Sequence, residues 1–166
     1  MTTLSYPSKP VPGDRIAVIS PGAGLPGLFP RPFELGLERL RKEYGLEPVE
    51  YPTTRRMGST PRDRAADLHA AFADPEVKAV MASIGGDDQI TVLPFLDREL
   101  IRSNPKPFFG MSDNTNLLAY LYSTGIVSYH GATVMTALGR PVAMNPLTAD
   151  SLRAALFTSG TYELTA

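Results

Sequence analysis

The chain has 166 residues, enough for one domain with a real core, and sets 16 basic against 17 acidic side chains for a net charge of −1. That balance excludes the strongly basic surfaces that hold nucleic acid or an anionic membrane, so neither is expected as a partner. There is no cysteine, which removes disulfides and thiolate metal sites, and no apolar run approaches the roughly 20 residues a membrane span needs.

Residues 1–12 are polar and proline-rich and lack the apolar stretch of a signal peptide; they read as an N-terminal extension of a cytoplasmic protein. Arg15 to Ser20 is a short apolar run bounded by Pro12-Gly13-Asp14 and Pro21-Gly22, which predicts a buried strand. A glycine- and proline-rich loop, Pro21 to Pro32, comes next. Phe33, Leu37, Leu40 and Tyr44 recur at helical spacing, and Gly45 closes that helix. Leu46 to Tyr51 predicts a second strand. Thr60 is placed to cap a second helix with Pro61 at its first position and Ala65, Leu68 and Phe72 along its apolar stripe. Val77 to Ile84 predicts a third strand, followed by Gly85-Gly86-Asp87-Asp88 and a helical segment carrying Ile90, Leu93 and Leu96. Pro107 to Met111 is the fourth strand, Leu117 to Tyr122 the next helix, and Ile126 to Tyr129 the last strand. Beyond Thr133 the alternation fades; Leu147 to Phe157 reads as one more helix, and residues 158–166 as the start of a linker to a further domain.

Strands alternating with helices predict an α/β domain over residues 13–157: a three-layer, mostly parallel, doubly wound sheet of flavodoxin-like type with helices on both faces. In such sheets ligands gather at the carboxyl ends of the strands. Ser20-Pro21-Gly22, Gly85-Gly86, Ser112-Asp113 and His130-Gly131 all fall at those ends.

The break from apolar Phe108-Phe109 to polar Asp113-Asn114 places Ser112 at a tight strand-to-helix turn. Such a turn exposes a nucleophile beside backbone N–H groups that can hold an oxyanion. The same residues also satisfy a plain Ser-Asp helix cap. Gly22-Ala23-Gly24-Leu25-Pro26-Gly27 spells the dinucleotide pattern G-x-G-x-x-G, with Glu50 at the end of the next strand. Pro26, Pro30 and Pro32 delay the helix that should begin inside that motif, so a mobile loop over the site is favoured over nucleotide binding. Of the two histidines, His69 reads as a surface residue, whereas His130 ends the last strand and allows a triad of Ser112, His130 and Asp87 or Asp113. No pair of metal-ligand types stands at helical or hairpin spacing, and no metal or cofactor is expected.

The ordered set Ile84-Gly85-Gly86-Asp87-Asp88, Leu93-Pro94-Phe95-Leu96-Asp97, Asn104-Pro105-Lys106, Gly110-Met111-Ser112-Asp113-Asn114-Thr115 and Tyr129-His130-Gly131 resembles the murein LD-carboxypeptidase family. Ile84-Gly85-Gly86 and Ser112 to Asn116 look more like its microcin C immunity branch. The resemblance implies a serine hydrolase with a Ser-Glu-His triad acting on a small peptide-like substrate. Ser112 takes the nucleophile's place, and the backbones of Asp113 and Gly86 those of the oxyanion donors. Gly85, Asp87 and Asn114 are expected to line the substrate. The family's glutamate and histidine belong to a C-terminal domain with no matching positions here, so His130 is not its base and the chain alone is expected to be inactive. A homodimer is expected. Two substrates compete, a murein L,D-peptide and a peptidyl-adenylate of microcin C type, with Asp87-Asp88 favouring the second; the alternative is a non-catalytic domain that binds a nucleotide or a partner through the same loops.

Overall fold

The computed structural model describes residues 4–163. Five strands, β1 (Arg15–Ile19), β2 (Glu47–Glu50), β3 (Val77–Ala82), β4 (Phe108–Gly110) and β5 (Tyr129–His130), form one sheet in the order β2-β1-β3-β4-β5. Every pairing is parallel, as a chain that crosses over through helices requires. The order reverses direction between β1 and β3, which makes their carboxyl ends the switch point of the sheet.

Period-two alternation along the strands separates two cores. Ala17, Ile19, Val80, Ala82 and Phe108 face a layer built by α2 (Pro61–Ala73), α3 (Arg98–Ser103) and α4 (Thr115–Thr124), whose Leu68, Phe72, Ile101, Leu117 and Leu121 are buried there. Ile16, Val18, Ala79, Met81 and Phe109 face the other layer, where α1 (Pro30–Lys42) and α5 (Pro146–Phe157) bury Phe33, Leu37, Leu40, Leu152 and Leu156. Burying each such side chain stabilises the fold by about 1.5–3 kcal/mol. The strands are apolar on both faces because helices cover both.

Local chemistry sets the helix ends. The Thr60 hydroxyl accepts the Asp63 amide at 3.2 Å with Pro61 behind it, and Asn145 caps α5 in the same way with Pro146 first. Gly125, at φ 93°, ends α4 in the left-handed region.

Four places differ from the sequence reading. Gln89–Phe95 is a 3-10 segment rather than an α-helix, because Pro94 within it has no N–H to give. A short α3 follows, capped by Asp97, whose carboxylate accepts the amides of Glu99 and Leu100 at 3.0 Å each. The last strand is Tyr129–His130; Ile126 instead bridges to Ser5 in the N-terminal segment, where Val127 N–H donates to the Ser5 carbonyl at 3.0 Å. Residues 134–138 form a wide π-type turn against α1, close enough that a methyl group on Gly36 would stand 2.5 Å from Val134.

Candidate active site

Three loops meet at the carboxyl edge of the sheet, one each from β1, β3 and β4. The β4 loop carries Ser112, two residues past Gly110, where a 3-10 turn (Ser112–Asn114) leads directly into α4. Ser112 is exposed and has φ 57°, and it is the only non-glycine residue with positive φ among those described. A serine held in the left-handed region costs on the order of 1–2 kcal/mol, so the surroundings must impose it.

Those surroundings are backbone. A methyl group on Gly85 would lie 2.9 Å from the Ser112 Cβ, 3.1 Å from its Oγ and 3.6 Å from the Asp113 nitrogen. Gly22 in turn abuts the paired glycines: its own added methyl would meet the Gly85 carbonyl oxygen at 3.0 Å, and one on Gly86 would meet the Gly22 carbonyl carbon at 2.7 Å. The β1 loop therefore backs the β3 loop, which backs the serine. Among the described residues, neither the Gly86 nor the Asp113 N–H donates to a protein acceptor. The Asp113 nitrogen lies in the same contact zone as Ser112 against Gly85, and Gly86 is the next residue along the β3 loop.

Side chains fix the three loops. The Asp113 carboxylate accepts the Gln89 amide at 2.8 Å and an Asn116 side-chain N–H at 3.2 Å, joining the β4 and β3 loops. Asn114 is fully buried, and its side-chain amide donates to the carbonyls of Ile84 and Met111 at 3.0 Å each. It braces the turn from below rather than lining the open surface beside Ser112. Asp87 is exposed at the rim. Under the β1 end the Ser20 hydroxyl donates to the Thr54 carbonyl at 2.7 Å, which leaves Ser83 to donate to Ser20 across 2.6 Å. The Thr54 hydroxyl donates to the Val18 carbonyl, and buried Asp67 accepts both the amide and the hydroxyl of Thr53.

One residue outside the sequence-derived set organises this edge. Arg64, in the first turn of α2, has a side chain only 4% exposed. Its guanidinium donates to the Pro21 and Gly22 carbonyls at 2.9 and 2.7 Å and pairs with both Asp88 carboxylate oxygens at 2.8 and 3.0 Å. The signal was legible: Arg64 stands four residues before Leu68, so a charge falls on a buried helical stripe.

The triad of Ser112, His130 and an aspartate is not assembled. His130 is exposed at the sheet edge, in register with Gly110, and among the described residues no hydrogen bond joins it to Ser112. The Asp113 carboxylate is occupied by Gln89 and Asn116. A groove of about 1230 Å³ does run past His130, between β5 and α5, but Ser112 does not line it. His69 has an internal partner: its Nε2 accepts the Asp97 amide at 2.8 Å and so steadies the start of α3.

The glycine motif is consumed by packing. Methyl groups on Gly24 and Gly27 would collide with the carbonyl oxygens of Arg56 and Arg55. The atom nearest each of these two positions is a carbonyl oxygen, where a pyrophosphate needs N–H donors. The loop is also fastened at its start by Arg64, in contrast to the mobile loop expected from its composition.

A family model described as the LD-carboxypeptidase N-terminal domain matches residues 16–131. The chain is 30% identical to the microcin C7 self-immunity protein of Escherichia coli over 91% of its own length and 46% of that protein's. It is 33% identical to the Bacillus subtilis protein named "Probable murein peptide carboxypeptidase", over 91% of the chain and 48% of the relative. Among solved structures, the microcin C7 self-immunity protein in complex with aspartyl sulfamoyl adenosine superposes with a TM-score of 0.88 at 28% identity, covering 96% of this chain and 50% of that one. The chain thus spans about half the length of the relatives it matches.

Proposed function

The chain belongs to the LD-carboxypeptidase family, whose N-terminal domain it carries, and from that premise we propose that it is the nucleophile-bearing half of a serine hydrolase. The substrate on this reading is a small peptide-like molecule cleaved at an amide through an acyl-enzyme. The observation that carries the proposal is the posture of Ser112: exposed, at φ 57°, one turn before α4 and against Gly85.

The chemistry follows from that posture. Ser112 Oγ attacks the amide carbonyl carbon, and its proton passes to a base. The carbonyl oxygen becomes an oxyanion held by the N–H groups of Gly86 and Asp113, for which no protein acceptor stands among the described residues. Collapse expels the amine, which takes the proton, and leaves an ester on Ser112 that water hydrolyses by the same path. A free serine hydroxyl is a weak nucleophile without a positioned base. The resemblance to the family assigns the base and its orienting glutamate to a further domain, and His130, which makes no hydrogen bond to Ser112 among the described residues, is not needed on this reading.

Two substrate classes remain in competition, a murein L,D-peptide and a peptidyl-adenylate. The solved complex of the microcin C7 relative with aspartyl sulfamoyl adenosine supports the second class. The acidic pair does so less than its sequence suggests, because the Asp88 carboxylate is engaged by Arg64 and only Asp87 stands free at the rim. The deciding experiment incubates a full-length parent carrying this domain with an LD-tetrapeptide and with a peptidyl sulfamoyl adenosine, alongside fluorophosphonate labelling. The expected result is labelling at Ser112 and turnover of one substrate, both lost in Ser112→Ala. Unchanged turnover in Ser112→Ala would sink the reading.

A further inference from the structure

We infer that Arg64 is a positioning residue for this site: it sets the spacing between the Gly86 N–H and Ser112 by tying the β1 loop to the β3 loop. The inference rests on the hydrolase reading for its consequence, though not for its geometry.

The Arg64 guanidinium is a fork with acceptors on two separate chain segments. Nη1 donates to the carbonyls of Pro21 and Gly22, which lie in the β1 loop. Nη1 and Nη2 together grip the carboxylate of Asp88, the residue just before the 3-10 segment that follows the paired glycines. Nη2 also reaches the Thr91 hydroxyl at 3.5 Å, and Nε has no protein partner. Between the two gripped segments lie Gly85 and Gly86, pressed by Gly22 on one side and pressing Ser112 on the other. Gly22 packs on Gly86 and Asp88 follows it by two residues, so fixing both restrains Gly86 from two sides.

The environment makes the grip firm. Arg64 is held by the rigid first turn of α2, just after its Thr60 cap. Its side chain is 4% exposed, whereas that of Asp88 is 57% exposed, so the pair reaches from the interior to the rim. A buried guanidinium with carbonyl and bidentate carboxylate partners is strongly directional. Lysine keeps the charge but has no fork, and cannot hold three acceptors in the same plane. Removing the fork leaves the β3 loop tied by Asp113 and Asn114 but no longer to the β1 loop through Arg64.

The test uses a full-length parent, with kcat and KM normalised to the fraction of protein that folds. Arg64→Lys is expected to lower kcat by about a hundredfold, the usual cost of a misplaced catalytic group, with KM within about threefold. Asp88→Asn, which keeps the size of the side chain and one acceptor, is expected to lower kcat about tenfold; it serves as the second variant if Arg64→Lys folds poorly. The double variant should be no slower than Arg64→Lys, because both changes break one connection. Amide hydrogen exchange should quicken at Gly86 in both single variants and stay unchanged at Ile16 to Val18. Wild-type kcat in Arg64→Lys or Asp88→Asn, or a loss confined to KM, overturns the positioning role. If kcat holds while Ser112→Ala is dead, the hydrolase reading survives alone. If Ser112→Ala is active, that reading falls, and unchanged exchange at Gly86 would remove the positioning role as well.

Discussion

Gly85 lies directly against Ser112, so close that a single added methyl would stand 2.9 Å from the serine Cβ and 3.1 Å from its Oγ. Neither neighbour can yield cheaply, because the serine sits on a strained turn and the glycine is backed by Gly22. Gly85→Ala is expected to cost about 1–3 kcal/mol in chemical denaturation, the range for overpacking a closed site. In a full-length parent its kcat should fall at least about a hundredfold. A variant with wild-type stability and turnover would show that the contact is slack.

The positive φ of Ser112 makes a second prediction that separates strain from chemistry. Ser112→Ala and Ser112→Gly should both abolish turnover. Glycine adopts this conformation freely, whereas alanine does not, so the glycine variant should be the more stable of the two by about 1 kcal/mol. Parallel urea titrations would check the order. Equal midpoints would mean that the turn is not strained.

Titration calorimetry of the domain with NAD, NADP and FMN is expected to give no saturable heat, because the glycines of residues 22–27 face carbonyl oxygens. Gly24→Ala should nevertheless be destabilised, by about 1–3 kcal/mol, through collision with Arg56. Micromolar binding of any of the three would overturn this account of the motif.

On the proposed mechanism the 166-residue chain alone folds but is silent. Loss of a triad's base typically lowers turnover by several orders of magnitude. LD-tetrapeptide and peptidyl sulfamoyl adenosine assays on the isolated chain should stay at background, and His130→Ala should change nothing. Robust turnover that His130→Ala abolishes would place the base inside the chain.

Lys106 predicts a pH dependence of stability. Its ammonium is buried at the end of α2, where it donates to the carbonyls of Ala71 and Asp74, and burial pushes its pKa down to about 8 from 10.5. Between those two values the unfolded chain binds more protons than the folded one, so stability should rise as pH climbs from about 8 to 10.5. Thermal melts across that range should show the rise in the wild type and not in Lys106→Met. A parallel course for the two proteins would mean that Lys106 titrates normally.

Most of the architecture was legible because continuous apolar runs and helical stripes are long-range signals repeated many times. The strands from Arg15, Val77 and Phe108, and the helix from Pro146 to Phe157, fell where their patterns placed them. What escaped has a physical reason in each case. The six residues of α3 carry too few apolar positions to show a stripe, and depend on Asp97 and on His69 from another helix. Ile126 looks like a strand residue because it pairs, but its partner is Ser5, at the far end of the chain. At the site, the turn at Ser112 could be read from a break in polarity. That the β3 loop is held by Arg64 could be suspected only from a charge on an apolar stripe. That Asn114 faces inward depends on the Ile84 carbonyl, which no local spacing reveals.

The stacking of Gly22 on Gly85 and of Gly85 on Ser112 joins positions that lie far apart in the chain. The reactive posture of the serine therefore does not exist in any local segment; it arises only after three successive crossovers have closed. A nascent or partly opened chain has the serine but not its left-handed posture, so the proposed nucleophile would be shaped only by the closed fold. The same dependence makes the posture sensitive to local opening: release of any one of the three loops would relax Ser112 without requiring either core to unfold. In a full-length parent, activity should accordingly fall on warming before the global melt followed by circular dichroism, and should return on cooling.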